Sequence, residues 1–150
     1  ELSYDAVIRT STARRSGTGK VYPHGTAGAG IEIVSSRNVE VCGNTVVDNW
    51  QGITGLNDHR GTGNAGPYTL TNLNVHDNVV TSRVAETGGG RTGIIDTKGT
   101  NAFSAAANNR FRHNTYSLGT NRPWFLWMGK ELDEAKWQQF GQDLSGAFRR

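Results

Sequence analysis

Cysteine, proline and long apolar runs are all scarce in this chain, and each scarcity excludes something. A single cysteine, Cys42, in 150 residues rules out an intrachain disulfide framework. Its place inside an apolar run reads as a buried thiol rather than a reactive one. No stretch of about 18 apolar residues occurs, so no membrane-spanning helix is expected. No signal-peptide pattern is visible. The chain starts at Glu1 without a Met, which leaves room for an upstream segment that has been removed. Charge of one sign is also sparse. The formal net charge is +3, with Arg14-Arg15 and Arg149-Arg150 carrying much of it. No segment interleaves basic and aromatic residues densely, so nucleic acid is not an expected partner.

What is present is globular. Hydrophobic residues make up 35% and charged residues 19%, within the range of a chain that buries a core rather than a disordered one. The length suggests one domain. Three Pro against twenty Gly point to many tight turns between short strands, because Gly adopts positive φ without a steric penalty.

Internal repeats decide the fold class. Asn38-Val39-Glu40-Val41-Cys42-Gly43-Asn44-Thr45-Val46 is followed by Asn72-Leu73-Asn74-Val75-His76-Asp77-Asn78-Val79-Val80, and then by Asn109-Arg110-Phe111-Arg112-His113-Asn114-Thr115-Tyr116. A weaker copy runs from Asp5 to Thr12, with Ser11 in the Asn position. A second element alternates with the first: Gly30-Ile31-Glu32-Ile33, Gly52-Ile53-Thr54-Gly55-Leu56 and Gly93-Ile94-Ile95-Asp96, with Pro123–Trp127 where a fourth copy falls. Long polar inserts at 57–68 and 83–92 become surface loops on such a scaffold.

Strands of four or five residues cannot make a stable open sheet alone. Stacked in parallel at about 4.8 Å per coil, they share backbone hydrogen bonds and bury a continuous apolar column. Period-2 alternation turns Ile31, Ile33, Val39, Val41, Ile53, Leu73 and Val75 inward and Glu32, Glu40, Thr54 and Asn74 outward. Asn44, Asn78 and Asn114 read first as turn formers, tolerant of the left-handed region, and stacked copies could also bond to one another. An antiparallel sandwich also has many short strands, but it does not explain two motifs alternating in a constant order. The expected fold is all-β, a right-handed parallel β-helix over residues 1–128 with a C-terminal cap over 129–150.

The cap reads as a short helix. Asp133 is the expected N-cap, Leu132 and Trp137 have the spacing of a hydrophobic staple, and Gly141 is the expected left-handed stop. Trp137, Phe140 and Leu144 would give one apolar edge. A solenoid's last coil must be covered, so Trp124, Phe125, Trp127, Trp137 and Phe140 read as cap core rather than a sugar-stacking platform.

The pattern Gly-Ile-x-Ile, then Asn-Val-x-Val-x-x-Asn-Thr-Val, resembles the right-handed parallel β-helix proteins of the pectate-lyase-like superfamily. The stretch from Asn109 through Ala135-Lys136-Trp137-Gln138-Gln139-Phe140-Gly141-Gln142-Asp143 looks like the C-terminus of secreted bacterial members. The resemblance implies a secreted, extracellular, carbohydrate-associated protein, acting on an acidic polysaccharide by lyase or hydrolase chemistry or binding glycans without catalysis. The superfamily includes polysaccharide lyases, glycoside hydrolases, alginate epimerases and members of unknown function, so membership alone does not choose among them. Its members usually have more coils and a capped N-terminal end. Here Asp5-Ala6-Val7-Ile8 already reads as a repeat strand, so the chain is expected to be the C-terminal part of a longer β-helix, with further coils or another chain covering its first coil.

Stacking supplies the site candidates. Ser35-Ser36-Arg37, Asn57-Asp58-His59-Arg60 and Asp96-Thr97-Lys98 should lie above one another, with Glu32 beside them and Lys20 and His24 in the loop before. For β-elimination, Arg60 or Lys98 could neutralise a uronate carboxylate while His59 or a Lys takes the α-proton. For hydrolysis, Asp58 and Asp96 are the expected carboxylate pair. Glu32 and Arg37 are candidate substrate-binding residues. The competing reading is that these residues are ordinary solvated surface. His76 and His113 read as structural residues at matching turn positions. His59, His76 and His113 show no metal-ligand spacing, so no metal or cofactor is expected, beyond a Ca²⁺ that could bridge an acidic substrate to Asp58 or Asp96. Thr87-Gly88-Gly89-Gly90-Arg91-Thr92 lacks the Gly-Lys-Ser/Thr ending of a phosphate loop and reads as a plain loop.

Overall fold

The computed structural model describes residues 1–17, 26–82, 90–120 and 123–150. Lys20, His24 and Thr87-Gly88-Gly89 lie outside the described residues. The chain winds as a parallel β-solenoid of about four turns with three strands to each turn. The first turn contains β1 (Tyr4–Arg9), β2 (Thr12–Arg14) and β3 (Ala29–Val34), and the second β4 (Arg37–Cys42), β5 (Thr45–Val47) and β6 (Gln51–Asn57). A small hairpin, β7 (Thr62–Gly63) and β8 (Gly66–Pro67), projects before the third turn. That turn contains β9 (Asn74–His76), β10 (Val79–Ser82) and β11 (Arg91–Asp96), and the fourth β12 (Arg110–Arg112), β13 (Thr115–Leu118) and β14 (Phe125–Trp127). The chain closes with β15 (Lys130–Leu132), helix α1 (Glu134–Gln139) and β16 (Ala147–Arg149).

Like strands stack on like. The first sheet is β1-β4-β9-β12, the second β2-β5-β10-β13-β16, and the third β3-β6-β11-β14-β15, where β15 alone runs antiparallel. The register lines up the inward residues as columns. One runs Ile8, Val41, Val75, Phe111, and another Ala13, Val46, Val80, Tyr116, Phe148. Both columns change from aliphatic to aromatic toward the C-terminus. Each fully buried large side chain there contributes about 1.5–3 kcal/mol of transfer free energy.

The Asn repeat forms a buried ladder. The Asn44 amide donates to the Asn78 side-chain oxygen at 2.9 Å, and the Asn78 amide to that of Asn114 at 3.0 Å. The left-handed conformation is not taken by these Asn residues but by the residue before each, Gly43, Asp77 and His113, and by Thr10 before Ser11 in the first turn, with φ of 51° to 63°. A second, exposed ladder joins Asp5, Asn38, Asn72 and Asn108, and its four members are themselves left-handed. Asn108 therefore matches Asn72, whereas Asn109 occupies the inward position of Leu73 and donates to the Leu70 and Ala102 carbonyls. The third copy of the first motif therefore begins at Asn108 and not at Asn109.

The cap follows its sequence cues for one helical turn and a half. The Asp133 carboxylate accepts from the Lys136 N–H at 3.0 Å, Leu132 and Trp137 are buried, and Gly141 has φ of 78°. Leu144, by contrast, is 70% exposed. The helix ends at Gln139 and the left-handed Gly141 and Asp143 turn the chain, so an i+7 rule no longer applies at 144. Three other expectations fail locally. Thr54 shares a row with exposed Glu32 but is fully buried. Cys42 faces outward and is half-buried, because inward Val39 and Val41 set the alternation. His76 pairs in register with Arg112, so it does not share the turn position of His113.

Candidate functional site

The third sheet presents the outward row on which the predicted residues converge. In β3, β6 and β11 the inward positions are Ile31, Ile33, Ile53, Gly55 and Ile94. Val34, Leu56 and Ile95 form the next row on the opposite face. Asn57 and Asp96 are register partners at the strand ends, and Asp58 and Thr97 follow them. A shallow trough of about 420 Å³ is lined by Thr26, Ala27 and Glu32 from the first turn, Leu56 and Asp58 from the second, and Ile95 and Thr97 from the third. Its surface is mostly apolar, with Thr26, Glu32, Asp58 and Thr97 supplying the hydrogen-bonding groups.

Asp58 is the most firmly placed of these. Its backbone N–H donates to Ser35 Oγ at 2.9 Å, and Ser35 Oγ donates to the Asp58 carbonyl at 3.0 Å. Thr97 Oγ1 donates to its carboxylate at 2.9 Å, and Arg60 Nε lies 3.3 Å from the other oxygen. The backbone N–H of His59 and the Thr97 hydroxyl hold the carboxyl below the ordinary range against the cost of burial, and the Arg60 charge adds to them. Glu32 is exposed and accepts from the Thr26 hydroxyl. Asp58 and Glu32 are thus two carboxylates in one trough.

The other predicted residues are engaged elsewhere. Asp96 turns both oxygens to its own loop: Oδ1 accepts from Asn57 Nδ2 and the N–H groups of Lys98 and Gly99, and Oδ2 from the Ala102 N–H, all at 2.9–3.0 Å. Burial pushes its carboxyl up, but these donors outweigh it and the net shift is downward. Lys98 Nζ donates to the Tyr68 carbonyl at 3.0 Å. Arg60 divides its guanidinium between Asp58 and Glu1. Arg37 lies over the Tyr4 ring at 4.9 Å and donates to the Ala65 carbonyl, where it secures the β7–β8 hairpin rather than facing the trough. Tyr4 and Tyr68 stack at 5.4 Å in the same cluster, and the Tyr4 hydroxyl donates to Gly66. His59 is exposed at the rim of the loop.

Leu56, Ile95, Thr26 and Ala27 line the trough although the sequence pattern marked none of them as site residues, whereas Thr97 belongs to the expected stack. Their signal was available for Leu56 and Ile95, since the residue after an inward position in the Gly-Ile element must face out. No protein-family model, curated protein or solved structure matches the chain.

Proposed function

We propose that the outer face of the third sheet binds a polysaccharide chain without cleaving it, in a secreted β-helix of the pectate-lyase-like kind. The observation that carries this reading is the composition of the trough. Leu56 and Ile95 offer an apolar strip suited to the C–H face of a sugar ring, and Asp58, Glu32 and the two Thr hydroxyls offer hydrogen-bond partners for sugar hydroxyls. Two carboxylates, with no cation among the described lining residues, favour a neutral glycan over a uronate polymer. The cations expected to neutralise a uronate carboxylate are in other bonds, Arg60 to two carboxylates and Lys98 to a carbonyl.

Calorimetric titration with neutral and uronate oligosaccharides tests the proposal. A neutral oligosaccharide should bind, and Asp58→Ala should weaken it about tenfold or more, the scale of one charge-assisted hydrogen bond. Preference for the uronate, or no glycan binding at all, would overturn it. Hydrolysis is the second reading, because Glu32 and Asp58 share the trough and a glycosidase needs two carboxylates. New reducing ends released by wild type, and lost in both Glu32→Gln and Asp58→Asn, would establish that reading instead.

A further inference from the structure

The first sheet carries a second cluster, remote in the fold from the trough and unused by it. In β4 and β9 the inward residues are Val39, Val41 and Val75, so Glu40, Cys42 and His76 face out. Cys42 and His76 are register partners on adjacent parallel strands, and Glu40 stands two residues before Cys42 on the same face. One ligand atom from each of the three lies within 4.8 Å of the other two. Adjacent parallel strands lie about 4.8 Å apart, so the register pairing of Cys42 with His76 brings these side chains together.

The histidine is also oriented. His76 Nδ1 lies 2.6 Å from Asp77 Oδ2 and Nε2 lies 2.8 Å from Glu40 Oε1. A carboxylate on Nδ1 fixes the ring and leaves Nε2 as the ligating atom, the arrangement by which metal-bound imidazoles are commonly held.

We propose that Glu40, Cys42 and His76 bind a borderline-soft divalent transition-metal ion, Zn²⁺ foremost, with Asp77 as the carboxylate behind the histidine. A sulfur, a nitrogen and an oxygen suit zinc, whose bonds of about 2.0–2.3 Å bring tetrahedral ligands closer together than the present upper limit. Rotation of the outward-facing, half-buried Glu40 and Cys42 side chains supplies the remaining approach. Calcium and magnesium are disfavoured, because they take six or more oxygens. Three protein ligands leave the fourth position to water or an exogenous ligand. On binding, the ion replaces the thiol proton, which is released to solvent. Arg9 and Arg112 are the register neighbours of Cys42 and His76, and Arg112 Nε donates to Asn74 Oδ1 at 3.1 Å.

The whole chain, kept reduced, should be titrated with Co²⁺ as an optical probe and then with Zn²⁺. The expected result is saturation at one Co²⁺ per chain with a thiolate-to-cobalt charge-transfer band that Zn²⁺ displaces. Cys42→Ser should abolish the band, His76→Gln and Glu40→Gln should each weaken Zn²⁺ at least tenfold, and Asp77→Asn should weaken it about 10- to 100-fold. His113→Gln should leave the affinity unchanged. All five positions face solvent, and unchanged circular dichroism of the metal-free variants checks that each is folded. Failure to saturate at one equivalent, or a band and affinity indifferent to His76→Gln, would overturn the site.

Discussion

At the scale of single residues, the two ladders separate burial from repetition. Asn78 accepts from Asn44, donates to Asn114 and reaches the Val41 and His76 carbonyls, all away from water. Asn72 repeats the same side-chain link in the exposed ladder. Asn78→Ala leaves several buried groups without partners and should cost about 3 kcal/mol or more, whereas Asn72→Ala should cost under about 1 kcal/mol. Urea unfolding of both variants measures this, and equal losses would refute a special role for the buried ladder. Asp143 ends that ladder: it accepts from the Asn114 backbone and amide, the Tyr116 hydroxyl and the Trp137 indole, and no arginine or lysine pairs with it among the described residues. Burial raises its carboxyl above the ordinary range despite those donors. Asp96, as described, is shifted the other way. The stability contributed by Asp96 is complete above its unfolded pKa of about 3.9 and is lost as pH falls through its lower folded value. That contributed by Asp143 is complete below about 3.9 and is lost as pH rises through its higher folded value. Relative to wild type, Asp96→Asn should therefore gain stability as pH falls below about 4, and Asp143→Asn as pH climbs above about 4. Urea midpoints across that range would disprove the assignment if both variants moved in the same sense.

At the scale of elements, β11 and β14 meet at Gly93, where the Leu126 backbone leaves no room for a side chain. Gly93 has φ of 143°, and a Cβ there would run into the Leu126 carbonyl and lie 2.8 Å from the Leu126 nitrogen. Gly93→Ala should cost more than about 3 kcal/mol through strain and a broken β11–β14 pairing. A melting temperature within a degree or two of wild type would exclude that. The elements were largely legible in the chain. Asn44, Asn78 and Asn114 marked one corner of the last three turns, the Gly-Ile runs marked the third sheet, and Asp133, Leu132, Trp137 and Gly141 marked the helix and its ends. Each of these signals is local, a turn or cap residue next to an apolar alternation. Leu144 was misread because its environment depends on where the chain goes after a left-handed residue. Asp143 carried no mark at all: a buried carboxylate is set by donors 27 and 29 residues away.

At the scale of the molecule, each turn is held by its neighbours, and within residues 1–150 β1 has a neighbour on one side only, so in a chain of these residues alone stability should fall toward the first turn. β1 alternates half-buried and exposed residues, whereas Val41, Leu73 and Val75 are fully buried. Amide hydrogen exchange should be at least about tenfold faster at Ala6 and Ile8 than at Val41 and Val75, and uniform protection would contradict a graded stack. The site was less legible than the fold for the same reason that the fold was legible. Stacking brought Asp58, Thr97 and Glu32 to one face, as the repeat implied. It could not show that Asp96, Lys98 and Arg37 are taken up by loop carbonyls and amides, because those partners come from the non-repeating inserts. Cys42 and His76 went unnoticed as a pair although they stand 34 residues apart, the same interval as Asn44 and Asn78. The corner before the buried ladder has one more consequence. Thr10, Gly43, Asp77 and His113 bend the backbone into a conformation natural to a residue of opposite chirality, once per turn and always in the same place. A chemically synthesised chain with D-amino acids at those four corners would meet no steric penalty there, so the solenoid tolerates mirror-image building blocks at one defined column.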